Sequence, residues 1–477
     1  MIAGATGNTY VLVGTDVGGT IRCRVTGTNG GGSTTAIGAQ SGVVSAVAPA
    51  NTVLPTISGT AKQLQSLTRT TGTWTGSPTF ATQWLRCDAA GANPVAIASA
   101  TGSTYVLTAA DVGSTIRSRV TGTNGGGSVA AESVQTATIV SVRIISMVSG
   151  GSGTGFFGDG LDYVSARMNN PTAMTYDAAG NLYIADSGNH RIRRVTTGGI
   201  ISTVAGTTSS GFSGDGAAAT AAQLFQPQGM AFDATGNLYI ADTSNNRVRK
   251  VTTGGIISTV AGIGTAGSTG DGSAATAAQL NYPAALAFDA VGNLYIADYN
   301  NHRIRKVTTG GIISTIAGTG IAGFNGDGVA AAAAQLNNPY SLTFDAAGNL
   351  YIADFGNNRI RMVTPGGIIS TFAGTGIGGS GGDGAAATAA QVYQTKGLTF
   401  DAAGNLYFAE DGGNRVRKIT SGGIISKIAG TGSYGYTGDG GDALLAKMMS
   451  PSGLAIDAAG NLYISDPDNS RIRKLTP

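Results

Sequence analysis

One spacing, 56 residues, constrains what this chain can fold into more than any other feature. The heptapeptide Gly180-Asn181-Leu182-Tyr183-Ile184-Ala185-Asp186 returns five more times with small changes. Its Asn falls at 181, 237, 293, 349, 405 and 461. A second marker, Gly-Asp-Gly, keeps the same step, with its Asp at 159, 215, 271, 327, 383 and 439. Copies held in register without insertion or deletion indicate a repeat architecture. Each copy carries the same order of signals. An apolar run (Gly229-Met230-Ala231-Phe232) ends at Asp233-Ala234-Thr235-Gly236-Asn237, which supplies Asp, Gly and Asn where a hairpin needs special backbone angles. Residues 238–241 follow, then Arg247-Val248-Arg249-Lys250-Val251, a Thr-Thr-Gly-Gly turn, and residues 256–261. Four short β-rich runs joined by tight turns predict a four-stranded antiparallel sheet per copy, with strands a to d. Repetition of such sheets predicts an all-β propeller.

The string Asn-Leu-Tyr-Ile-Ala-Asp-x-x-Asn-His-Arg-Ile-Arg resembles the NHL repeat. Asn189-His190-Arg191 and Asn301-His302-Arg303 carry it most literally. The resemblance covers residues 144–477 and implies a six-bladed β-propeller. Ring closure has a separate signal. The last copy stops at Arg471-Ile472-Arg473-Lys474-Leu475 without a fourth strand, while Ile144-Ile145-Ser146-Met147-Val148 stands before the first copy in register with residues 200–204. The early strand is expected to complete the last sheet and remove its open edge.

Glycine is abundant, 77 residues, but it falls at fixed repeat positions, which is turn chemistry rather than a linker. The net charge of +3 divides unevenly: residues 1–143 hold eight Lys/Arg against four Asp/Glu, and residues 144–477 hold 21 against 22. A near-neutral propeller offers no electrostatic footprint for nucleic acid. No apolar run reaches the roughly 18 residues needed to span a membrane.

A second repeat occupies the start. Thr9-Tyr10-Val11-Leu12, Asp16-Val17-Gly18 and the segment to Ser33 recur 95 residues later, at 104–128. Short alternating Thr/Val/Ile strands with Gly/Asn/Ser turns read as a β-sandwich. Trp84-Leu85-Arg86-Cys87 and Asp111-Val112-Gly113 resemble the tandem Ig-like domains of bacterial secreted and surface proteins. The expected domains are a truncated Ig-like domain at 1–48, a complete one at 49–140 and the propeller at 141–477. Because Ile2 aligns with Ile97, Met1 falls inside a domain, so a first half and a signal peptide are expected upstream. Residues 1–48 would then leave an apolar face uncovered. Neither domain holds a cysteine pair, so Cys23 and Cys87 are expected to be free thiols.

Candidate chemistry is sparse. The two histidines, His190 and His302, share one repeat position where other copies place Asn246, Asn358, Asn414 and Ser470. That reads as a polar loop residue interchangeable with Asn, against a functional pair. Some NHL-like propellers are zinc-holding lyases, but they use several histidines at the pore. The Asp of each Asp-x-x-Gly-Asn turn (Asp177 and its equivalents) is expected to cap its own loop. The Asp or Glu ending strand b (Asp186, Asp242, Asp298, Asp354, Glu410, Asp466) is expected to pair with the Arg five residues on. The Gly-Asp-Gly Asp precedes an Ala-rich stretch and reads as the cap of a short helix. No cofactor is expected; oxygen-rich loops leave Ca²⁺ open, without the spacing of dedicated calcium loops. RNA binding, known for some NHL propellers, competes with internal pairing of the Arg-x-Arg-Lys strands.

The reading is an extracellular or cell-surface bacterial protein, monomeric, binding a protein or glycan partner without catalysis. The alternative is a lactonase- or lyase-type propeller enzyme with a divalent cation at the pore mouth. The b–c loops and d–a connections emerge on one face, and there the copies differ. The a–b and c–d turns on the other face are near-identical. Candidate ligand-binding residues are therefore Asn170, Gln228, Tyr282, Tyr299, Asn338, Tyr340, Phe355, Tyr393 and Lys396. Phe212, Phe324, Tyr434 and Tyr436 in the d–a connections are further expected recognition aromatics.

Overall fold

The structure is a computed structural model that describes residues 1–150 and 153–476. The chain divides into two compact units, residues 1–142 and 143–477.

In the first unit a four-stranded antiparallel sheet runs in the order Gly127–Glu132, Thr115–Asn124, Thr79–Cys87, Val95–Ala96. A three-stranded sheet joins Ile57–Ser58, Ser66–Arg69 and Thr104–Val106. Their core is Leu67, Trp84, Leu107, Ile116 and Ile139. Asp111 organises the turn before the long strand. It accepts from the Tyr105 hydroxyl at 2.8 Å and the Thr108 amide at 2.7 Å, and pairs with Arg86 at 2.6 Å. The earlier copy keeps part of this device, with Asp16 accepting from Tyr10 at 2.8 Å and from the Val13 amide at 2.9 Å. It lacks the cover: Val25 is 62 % exposed where its counterpart Val120 is 0 %. The hairpin Arg24–Asn29 with Gly32–Ile37 is exposed along its whole length. Cys23 is exposed, Cys87 is buried, and they are not bonded to each other.

Among the described residues the second unit contains six antiparallel sheets built on four strands each. Sheet one is Pro171–Tyr176, Leu182–Asp186, Arg191–Val195 and Ile201–Ala205, strands a to d. Its five successors repeat this order every 56 residues, and sheets four and six each add a two-residue strand at the outer edge. In sheet six, strands a to c are Leu454–Ile456, Leu462–Asp466 and Arg471–Leu475, and strand d is Ile144–Ser149. Ile145 opposes Leu475, and the Thr476 amide donates to the Ile144 carbonyl at 3.0 Å. The early strand therefore closes the last sheet, as its sequence register predicts.

Both faces of every sheet are apolar because both are covered. Ala185, Ile192 and Ala205 of sheet one pack with Leu238, Ile240 and Ile257 of sheet two. Four further clusters repeat this between successive neighbours, and a sixth joins Val148 and Ile472 of sheet six to Met174 and Ile184 of sheet one. The ring is complete. Glycine lets strands a converge at three places. A Cβ on Gly229, Gly397 or Gly453 would stand 2.6, 2.1 or 2.1 Å from a backbone oxygen of the next sheet.

The Asp-x-x-Gly-Asn turn behaves as expected. Asp177 accepts from the Ala179 and Asn181 amides and from Asn181 Nδ2, while Asn181 Oδ1 accepts from Thr197 in the c–d turn. Two other expectations need correction. The Gly-Asp-Gly aspartates cap no helix. The Ala-rich stretch forms only a three-residue 3₁₀ turn, whose first amide, Ala219, donates to the Gly255 carbonyl instead. Each of these aspartates (159, 215, 271, 327, 383, 439) instead holds the middle Arg of strand c at 2.7–2.9 Å. Nor does the acid ending strand b rely on the Arg five residues on. Asp186 and Arg191 are opposed in register, but in every sheet the acid faces the Arg seven residues on, at 3.2–3.7 Å. Arg191 and Arg193 point to one sheet face, and only the inner guanidinium reaches the buried carboxyl. Glu410, one methylene longer, also touches Arg415 at 3.0 Å.

Deleting residues 1–149 should lower the melting temperature of the propeller, whereas deleting 1–140 should leave it unchanged. An unpaired strand c and lost burial of Ile145 and Val148 cost several kcal/mol, at about 1.5–3 kcal/mol per fully buried aliphatic side chain. Thermal melts of the two truncations check this; coincident curves would remove closure as the explanation.

Candidate functional site

Where strands a begin, the ring opens into a cavity of about 450 Å³. Every sheet contributes to its wall: Asn170 and Thr172; Gln228; Tyr282, Tyr299 and Asn300; Tyr340 and Phe355; Lys396 and Asp411; Ser450, Ser452, Pro467 and Asp468. Beneath it a channel of about 100 Å³ is walled by strands a, including Met174, Met230, Leu286, Leu342, Leu398 and Leu454.

The wall is two-sided. Tyr299 is the hub of an aromatic group, its ring centroid 5.7 Å from Tyr282, 5.8 Å from Tyr340 and 6.3 Å from Phe355. Tyr340 and Phe355 are 6.0 Å apart. On the polar side Lys396 Nζ lies 3.3 Å from Asp411 Oδ1 and 5.3 Å from the Tyr340 ring centre. Burial alone would lower the Lys396 pKa, but Tyr340, Asp411 and Asp468 outweigh it and hold the amine above its usual value, so it is charged. Gln228 Nε2 donates to the Tyr282 hydroxyl at 2.6 Å, and its Oε1 has no protein partner. Burial pushes the Tyr282 and Tyr299 hydroxyls up, so both are neutral donors at pH 7.

Seven of the nine candidate residues meet at this cavity: Asn170, Gln228, Tyr282, Tyr299, Tyr340, Phe355 and Lys396. Asn338 and Tyr393 do not line it. Asn338 adopts a left-handed backbone (φ 52°), and its side chain turns back to the Tyr299 carbonyl at 3.3 Å. Tyr393 packs instead where Gly378 and Gly412 leave room for its ring, and its amide donates to Glu410 at 3.0 Å. The candidate set omitted Thr172, Asn300, Asp411, Ser450, Ser452, Pro467 and Asp468. Thr172 and Ser452 share the repeat position of Gln228, Tyr340 and Lys396, and Asp411 and Pro467 that of Tyr299 and Phe355. Register alone places them here. The d–a aromatics have an internal contact as well, although Phe212 and Phe324 are 41 % and 36 % exposed. Phe212 lies 3.8 Å from Arg247 and 4.7 Å from Arg249, while Phe324 and Tyr436 cover the corresponding arginines of sheets four and six. They are lids on internal charge. Tyr434 is 68 % exposed.

The histidines join one sheet to the next. His302 sits in the left-handed region (φ 53°), and its Nδ1 accepts from the Asn338 amide at 3.1 Å. His190 does the same for Gln226 at 3.3 Å. In other copies the Oδ1 atoms of Asn246, Asn358 and Asn414 take this role for Tyr282, Gln394 and Ser450. Nδ1 of a neutral imidazole replaces the amide oxygen, and Asn is among the side chains that best tolerate this backbone. Burial lowers the pKa of both histidines, which preserves the accepting form. His302→Asn should leave the melting temperature within experimental error, and His302→Val should destabilise by about 1–3 kcal/mol, from left-handed strain and an unpaired amide. Equal effects of the two changes would contradict this linking role.

Glu410 carries a pH signature. Burial pushes its carboxyl up to about 7 from 4.5, against Arg417 and Arg415, which lower it. The folded state then binds more protons than the unfolded state between these values, so this group makes unfolding free energy fall as pH rises through the window. Stability of wild type relative to Glu410→Gln should accordingly decline from pH 4.5 to 7. Melting curves that run parallel across that range would remove the assignment.

Comparison with known proteins places these repeats. Residues 168–195 match the NHL repeat family, and residues 208–269 and 264–323 match the Teneurin NHL domain family. Teneurin-4 of Mus musculus is 35 % identical over 236 residues, 43 % of this chain and 8 % of that protein. Teneurin-1 of Gallus gallus is 29 % identical over 285 residues, 50 % of this chain and 10 % of that protein. The chain thus spans about a tenth of the length of these relatives. Among solved structures, an auxiliary nutrient binding protein of Bacteroides thetaiotaomicron VPI-5482 superposes with a TM-score of 0.55 at 15 % identity, covering 89 % of this chain and 98 % of that one. A structural genomics protein of unknown function from the same organism gives 0.53 at 18 %, covering 88 % and 98 %. These two likenesses concern the fold. With the sheet topology, the repeat matches within residues 168–323 support an NHL-repeat β-propeller.

Proposed function

We propose that this protein is a non-catalytic binding protein whose six-bladed propeller recognises a protein or glycan partner through the face carrying the b–c loops and d–a connections. Ig-like sandwich domains in residues 1–142 present it at the outside of a bacterial cell, as a monomer. The observation that carries the reading is the cavity at the strand-a entrance, where side chains from six sheets converge on an aromatic hub. Repeats under one structural constraint keep the same residues elsewhere, and they diverge here. Concave sites in which placed polar groups stand beside aromatic side chains are a usual form of recognition pocket, and this wall is more polar than apolar.

The enzyme alternative asks for carboxylates and histidines converging on a cation. Asp411 and Asp468 do reach the mouth, both from b–c loops, but Asp411 is paired with Lys396. Among the described residues no group of three or more His, Cys, Asp or Glu could hold a metal ion. Both histidines serve the backbone links described above.

Replacing Tyr299, Tyr340 and Phe355 together with Ala should abolish capture of the partner that a pull-down identifies, while the propeller still melts cooperatively. Val291→Ser, in an exposed a–b turn on the opposite face, should leave capture intact. Capture that survives the triple change and fails with Val291→Ser would move the site to the other face.

A further inference from the structure

We infer that the mouth cavity seats the terminal residue of a neutral glycan, one pyranose face against the aromatic wall and its hydroxyls against the polar wall. The inference rests on the reading of this mouth as a binding site and adds the class of ligand.

Shape comes first. The cavity is walled on all sides by six sheets and narrows below into the 100 Å³ channel, so a ligand enters end-on. An extended peptide binds along an open groove or adds to a free sheet edge, and a closed bowl offers neither. The end of a sugar chain fits such a shape.

Wall chemistry points the same way. A pyranose ring has an apolar C–H face and a circumference of hydroxyls, each both donor and acceptor. The rings of Tyr299, Tyr340 and Phe355 offer apolar area on one side. Beside them, with Lys396 against the Tyr340 ring, Lys396 and Asp411 stand 3.3 Å apart, a donor next to an acceptor. Adjacent hydroxyls can bond to both, and hydrogen bonds to ionised groups are the stronger kind. Gln228 is 9 % exposed, and its Oε1 is a buried acceptor without a partner. Its Nε2 donates to the Tyr282 hydroxyl at 2.6 Å, which holds that ring on the wall.

Charge narrows the class. Asp411 and Asp468 outnumber Lys396 at the wall, so an acidic sugar is repelled. An aromatic wall can also hold a cation, but the Lys396 ammonium already lies 5.3 Å from the Tyr340 ring centre and would repel a second one. A neutral ring remains.

The full chain, titrated by calorimetry and saturation-transfer NMR, tests this. The probes are the methyl β-pyranosides of glucose, galactose and N-acetylglucosamine, methyl glucuronide, and a lysine-rich peptide. At least one neutral glycoside should bind, at roughly millimolar affinity for so small a ligand, with the glucuronide weaker and the peptide silent. Tyr340→Ala with Phe355→Ala should weaken it about tenfold or more, Gln228→Leu should weaken it too, and Tyr340→Phe, which keeps the ring, should retain it. Silence from every neutral glycoside, or binding unchanged in the double variant, overturns the inference. If glycosides are silent while an isolated protein partner still depends on Tyr299, Tyr340 and Phe355, the glycan class falls and the binding face stands. Partner capture indifferent to those residues overturns both.

Discussion

Each sheet of the propeller is organised around one guanidinium that never meets water. Arg193, Arg249, Arg305, Arg361, Arg417 and Arg473 are fully buried, each between two carboxylates. One carboxylate ends strand b, and the other arrives on the connection from the preceding sheet. Burying such a group is costly, and a buried ion pair is weak evidence of net stability. Its effect is on geometry. Arg193 also donates to the Arg167 and Phe157 carbonyls, so one side chain fixes the path of an otherwise irregular connection. Removing the outer aspartate would leave the guanidinium its inner carboxylate but free the connection it anchors. Such a constraint keeps Gly-Asp-Gly at the same step in six copies.

The invariant and variable parts of the repeat follow from this. Strand c, strand b and the two turn types are tied by buried charge, by the Asp-Asn turn bonds and by burial on both sheet faces. The entrance to strand a and the start of the b–c loop are held through backbone. Residues 170, 226, 282, 338, 394 and 450 are all left-handed, with φ of 48–61°. Five of them are recorded as donating an amide to a His or Asn of the sheet before. A position specified by its backbone leaves its side chain free. Asn, Gln, Tyr, Asn, Gln and Ser stand at one structural site, and the mouth becomes asymmetric although the scaffold is not.

Period and turn chemistry made the number of sheets, their strand order and the closing strand legible in the sequence. So was most of the mouth, because equal repeat positions occupy equal places around the ring. Long-range partners were not legible. Asp215 meets Arg249 thirty-four residues later, and nothing local distinguishes that Asp from a helix cap. The acid ending strand b was assigned the Arg opposite it in register, whereas the contact runs diagonally to the next Arg on the same face. Phe212 is exposed, and the guanidinium against its ring could not be read from the sequence. Asn338 and Tyr393 fall outside the cavity wall because register fixes where a backbone lies and leaves the side chain's direction to its neighbours.

The strand Ile144–Ser149 gives the ring a direction in time. It is synthesised before any propeller repeat, yet its partner, Arg471–Leu475, follows more than 320 residues later. Five sheets can assemble from local hairpins as they emerge, each docking on the one before. The sixth cannot form until residues 471–475 have been made, and its pairing closes a loop containing all the others. Late, non-local pairing of this kind is slow and leaves strand edges open meanwhile. The aromatic group of sheets three and four can form before this closure, whereas a mouth walled by all six sheets requires it.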